Sequence, residues 1–95
     1  MPLEMRDLKL PSTLLHDQAD ACLAQCATQA QWGTPPVLQV DASALAEFDS
    51  SALAVLLGLR RLAVAQGGRL HITGMSARLR ELASLYGVLA LLEQA

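Results

Sequence analysis

The chain has 95 residues, 53% hydrophobic and 17% charged, with a formal net charge of −2. That length fits one compact unit and excludes a large enzyme built around a separate cofactor domain. The composition is too apolar for a disordered chain and rich in helix-favouring Leu and Ala, while one Phe, one Tyr and one Trp are too few for the stacking platforms of single-strand nucleic-acid binders.

The charge is unevenly placed. Residues 1–59 carry a balance of −5 and residues 60–95 one of +3, the latter from Arg60, Arg61, Arg69, Arg78 and Arg80 without a lysine. Such arginines suit carboxylate recognition on a protein surface but fall short of the basic excess a phosphate backbone demands, so no nucleic-acid partner is expected. The first ten residues interleave proline and charges where a secretory signal needs an unbroken apolar run. The longest stretch made only of apolar residues and glycine, residues 52–59, has eight members against the roughly 20 of a membrane span. A cytoplasmic address without a span is the expectation. Cys22 and Cys26 share a helix face without disulfide geometry, and only His16 and His71 could join them around a metal. Both cysteines are therefore expected as small core or half-buried residues, with no metal.

In chain order, Leu8 and Leu10 alternate around Lys9, so residues 3–10 predict one or two short strands before Pro11. Asp17 then caps a helix whose stripe is Ala19, Cys22, Leu23, Cys26, Ala27 and Ala30. It ends near Trp32 and Gly33, ahead of Thr34, Pro35 and Pro36, with Trp32 closing it against the core. Residues 37–40 form a short apolar strand leading to Asp41, and a connection through Leu45 and Phe48 follows, in which Asp41 and Glu47 read as turn residues. Residues 51–66 predict a helix stopped by Gly67 and Gly68. Leu53, Leu56, Leu57 and Arg60 mark one of its faces, and Ala52, Val55, Leu59 and Leu62 another. One must cover the sheet, leaving the other for the helix at 76–86 or for a partner. Residues 69–73 alternate as a strand, with Leu70 and Ile72 opposite Arg69, His71 and Thr73. Ser76 caps a helix to Tyr86, Gly87 stops it, and residues 88–92 add a last turn or short helix.

This alternation predicts an α/β fold, with residues 1–95 as a single domain. A small sheet, mixed or mainly parallel, is covered by three to four helices, and the strands at 37–40 and 69–73 lie parallel across a crossover helix.

The most informative local feature is Phe48-Asp49-Ser50-Ser51 feeding an apolar helix. Four backbone N–H groups at a helix start lack internal partners, and Asp49 or Ser50 caps one. The same amides suit a phosphate on Ser50 or a carboxylate from a partner protein. The flank of Ser50 is no Gly-x-Ser-x-Gly elbow, and Gly67-Gly68 lacks the spacing of a phosphate loop. Arg60 and Arg61 lie roughly 15 to 17 Å along the helix from Ser50, too far to clamp a phosphate there, and instead suit a seam with a partner or a second subunit.

The run Val37-Leu38-Gln39-Val40-Asp41 through Phe48-Asp49-Ser50-Ser51-Ala52-Leu53 resembles the STAS domain family, named for sulfate transporters and anti-sigma factor antagonists. That family's pattern is a strand ending in Asp, a short loop, and Asp-Ser/Thr-x-Gly-Leu opening a helix. Gly67-Gly68-Arg69-Leu70 with Ile72-Thr73-Gly74 resembles the family's next strand, and residues 79–85 with Tyr86-Gly87-Val88 resemble its third helix and tail. The likeness covers residues 37–92 well and the N-terminal third loosely. The strand region there is shortened to residues 3–10, and Ala52 stands in place of the family's glycine. The Leu-Tyr-Gly-Val ending and the Asp49-Ser50 pair are similar to the small STAS subunits of phospholipid-moving ABC transporters.

The resemblance implies a non-catalytic accessory subunit that binds the transporter's ATPase subunit and supports phospholipid transport and outer-membrane lipid asymmetry. Its expected place is cytoplasmic, peripheral to the inner membrane through that partner, with no cofactor. Ser50 matches the hydroxyl residue of the contact with Asp49 beside it, and Ser51, Leu53, Leu57 and Arg61 extend the expected partner surface along the helix. The alternative within the family is an anti-anti-sigma factor, in which Ser50 matches a regulatory phosphoserine and the partner is an anti-sigma serine kinase. Pairing with a second copy is left open.

Overall fold

The computed structural model describes residues 8–30 and 37–93. The expectations placed on residues 3–7 and on 31–36, Trp32 included, lie outside the described residues. Five strands and four helices follow one another as β1 (Leu8–Lys9), β2 (Thr13–Leu14), α1 (His16–Gln29), β3 (Val37–Asp41), β4 (Glu47–Phe48), α2 (Ser50–Ala65), β5 (Arg69–Thr73), α3 (Ala77–Leu85) and α4 (Leu89–Glu93). The fold is α/β, as the alternation implies.

Two sheets organise it, and every described pairing is parallel. The larger has the order β1-β3-β5, and the smaller pairs β2 with β4. Period-two alternation explains its faces. Leu8, Leu38, Val40 and Leu70 are buried against the helices, while Lys9, Arg69, His71 and Thr73 on the opposite face are exposed. Parallel sheets are ordinarily covered on both sides; here the alternate positions other than Val37 are polar, half-buried on β3 and exposed on β5.

The helix at 51–66 begins one residue earlier than expected, at Ser50, and α1 begins at His16 rather than after an Asp17 cap. Ala52, Leu53, Val55, Leu56, Leu59 and Ala63 of α2 are all buried, so most of both apolar faces is covered within the chain, with Leu57 and Leu62 half-buried. The second face is covered chiefly by α1, not by the helix at 76–86, which packs instead against α4. Gly58 explains how α1 comes so near. A Cβ there would stand 2.7 Å from Leu23 Cδ2, so the missing side chain seats Leu23 of α1 against the α2 backbone.

Gly74, which ends β5, has φ +74°, and a Cβ there would meet the Ser43 backbone nitrogen at 2.8 Å. That loop is itself held in place: Asp41 Oδ1 accepts from Ser43 N at 2.9 Å, and Ala42 N donates to Thr73 O at 2.8 Å. Gly74→Ala is expected to cost about 2 to 4 kcal/mol, from a left-handed backbone plus a clash with main chain that cannot rotate away. Gly67→Ala, at φ +80° but facing open space, is expected to cost only about 1 kcal/mol. Urea unfolding midpoints of the two variants provide the comparison.

Cys26 is buried and Cys22 half-buried, both as free thiols. Burial first, and the neighbouring Cys22 second, push the Cys26 thiol up to about 11. Near pH 8 the native protein is expected to be alkylated at Cys22 and to resist at Cys26 until unfolded, a difference read by peptide mass mapping.

Candidate functional site

The smaller sheet builds the site. Its register places Thr13 opposite Glu47 and Leu14 opposite Phe48, so the next residues along, Leu15 and Asp49, arrive side by side where α1 and α2 begin. Ser12 O accepts from Ala46 N and Glu47 N, and Thr13 Oγ1 donates to Glu47 Oε1 at 3.1 Å, which fixes that register from the edge.

Leu15 occupies the N-cap position of α1 and has no side-chain acceptor to offer. Gln18 reaches back to accept from Leu15 N at 2.8 Å. The remaining acceptor comes from the other helix. Asp49, the N-cap of α2, accepts from Ser51 N through Oδ1 at 2.8 Å and from His16 N through Oδ2 at 3.1 Å. One carboxylate thus caps two helices. The Ser51 N–H first, with the Ser51 hydroxyl and the His16 N–H adding to it, holds the Asp49 carboxyl below its ordinary range.

With Asp49 engaged on the backbone, Ser50 is left exposed at the first position of α2. Ser51 is half-buried and turned toward α1, its Oγ 3.5 Å from His16 Nδ1. Ser, His and Asp stand together here, but not as a nucleophile, base and orienter. Asp49 binds the His16 main chain, not the ring, so the cluster is built for capping.

Downstream of Ser50, the outward positions of α2 are Ala54, Leu57, Arg61 and Val64, all within a sector of roughly 100° at the helical period. Arg61 is exposed, Leu57 half-buried, and Val64 is 52% exposed. Leu53 is buried at 3%, so it belongs to the core beneath this stripe and not to its surface. Ala52 is fully buried as well, which directs its extra methyl inward, away from any approaching partner.

Two residues near the shared cap carried no local sequence signal. Arg78, from the first turn of α3, lies over the Phe48 ring at 4.9 Å to the centroid, placing a cation beside the residue that precedes Asp49. Leu15, 38% exposed, lies beside the shared cap.

The family model described as "Mlab, STAS domain" matches residues 3–93. The chain belongs to the STAS domain family. In this STAS domain the motif Asp49-Ser50 divides its work, the carboxylate capping two helices and the hydroxyl facing out. No curated protein matches the chain. Among the described residues, no helix of the STAS domain is long and apolar enough to cross a membrane.

Asp49→Ala, which removes both acceptor oxygens, is expected to lower Tm by roughly 4 to 8 °C near neutral pH. It should also speed hydrogen exchange at the His16 and Ser51 amides together. A carboxyl lowered in the folded state stabilises above its ordinary value of 3.8, and that contribution fades as the pH falls from there through the native value. Melting curves of the wild type and variant are therefore expected to converge in acid.

Proposed function

We propose that this STAS domain is a non-catalytic accessory subunit that binds the ATPase subunit of an inner-membrane ABC transporter moving phospholipid and maintaining outer-membrane lipid asymmetry. The observation that carries this reading is the exposed Ser50 hydroxyl at the head of the outward α2 stripe, in a chain whose family model is the one described for Mlab. Ser50, Leu57 and Arg61 form the contact, with Val64 extending it. Asp49 and Ser51 hold the helix start rigid, and Leu53 supports the face from beneath. A preorganised helix end lowers the ordering cost of association. The proposed place of the protein is cytoplasmic, at the membrane through its partner.

The exposed hydroxyl also supports a second reading, an anti-anti-sigma factor switched by phosphorylation of Ser50 by a serine kinase. A phosphate there adds about −1.5 to −2 charges at a helix N-terminus.

Affinity purification from the native cell separates the two. On the first reading an ABC ATPase co-purifies, and Ser50→Arg weakens the purified complex by roughly 30-fold or more, the loss typical of a central contact residue. Undiminished binding by that variant would remove Ser50 from the interface. On the second, incubation with the co-purifying kinase adds about 80 Da at Ser50.

A further inference from the structure

Arg78 and Arg80 both leave the first half of α3, and the chain uses them differently. Arg80 pairs with Glu93 of α4. Arg78 is exposed, and among the described residues no carboxylate or hydrogen-bond acceptor engages its guanidinium. Its described partner is the Phe48 ring, 4.9 Å from Cζ to the centroid. The first turn of α3 carries no acid, so this cation stands at the positive end of the helix dipole, where a positive charge is disfavoured. An anion brought from outside turns that placement favourable. The ring also fixes where the cation stands. Phe48 is half-buried, is held in register with Leu14, and lies two residues before Ser50, at most about 7 Å of chain. A cation–ring contact consumes no N–H group, so the guanidinium keeps its donors for a ligand.

We propose that Arg78 is a specificity-determining contact of the docking surface around Ser50, taking a carboxylate of the partner ATPase subunit in a bidentate pair. The inference rests on the ATPase reading given above and adds the chemistry of the group recognised. A partner Asp or Glu supplies the anion that α3 and its described neighbours do not. The planar fork of a guanidinium matches a carboxylate through two parallel N–H···O bonds, a geometry that a lysine ammonium lacks. Because the Phe48 ring already holds the side chain, less freedom is lost when the pair forms.

Binding of the full chain to the purified ATPase subunit over a salt series tests this, with two variants. Arg78→Ala is expected to weaken the complex by roughly 10-fold or more at low salt and to flatten its salt dependence. Its melting temperature is expected to stay close to that of the wild type, as for an ordinary surface substitution. Arg78→Lys is expected to recover only part of the affinity, because it keeps the charge without the fork. That second variant also reports the ligand. A carbodiimide condenses an amine with a carboxylate in contact with it, releasing water, and peptide mapping is expected to find position 78 joined to an Asp or Glu of the ATPase subunit. Equal binding by the wild type and Arg78→Ala, or no cross-link from position 78 to the ATPase subunit, would overturn the proposal while the ATPase reading stands. A wild-type chain that does not bind the ATPase subunit would remove that reading and this inference with it.

Discussion

The architecture turns on one carboxylate serving two helices. Asp49 accepts from the first N–H of α1 and from the second residue of α2, and it can do so only because β2 and β4 run parallel and in register immediately before those helices. Two strands of two residues each would contribute little by themselves. Their importance is positional: they deliver two helix starts, His16 and Ser50, 34 residues apart in sequence, to one acceptor. The close seating of Leu23 on Gly58 then continues the same α1 and α2 pairing further along both helices.

That arrangement also explains how a motif of adjacent polar residues separates structure from recognition. A helix start presents several unsatisfied donors. Asp49 caps the Ser51 and His16 amides and Gln18 the Leu15 amide, and among the described residues no hydrogen bond engages the side chain of the exposed Ser50. The buried Leu53 and the exposed Arg61 express the same partition along α2, where an inner face locks into the core and a narrow stripe remains outside.

Much of this was legible in the sequence wherever a period had room to repeat. The alternation in Arg69-Leu70-His71-Ile72-Thr73 announced a strand with one apolar and one polar face, and the apolar content of residues 51–66 announced a helix with more apolar surface than one covered face needs, leaving its second face open between another helix and a partner. The Asp49-Ser50 helix start was readable from capping chemistry alone. The paired strands at Thr13 and Glu47 were not, since two residues carry no period. Without them, nothing local pointed to His16 as the partner of Asp49, or assigned α1 as the cover of α2. Asp17 looked like a cap because its type is right, yet Leu15 holds the position and borrows its acceptor through space. The stacking of Arg78 on Phe48 likewise joins residues 30 apart and is a product of tertiary folding.

The polar face of the larger sheet has a further consequence. Lys9, Arg69, His71 and Thr73 lie across the entire core from the α2 stripe, with a full layer of packed leucine and valine between them. Substitutions on one flank are therefore insulated from the other, and the chain can drift in charge on its sheet flank while its helical flank keeps its shape.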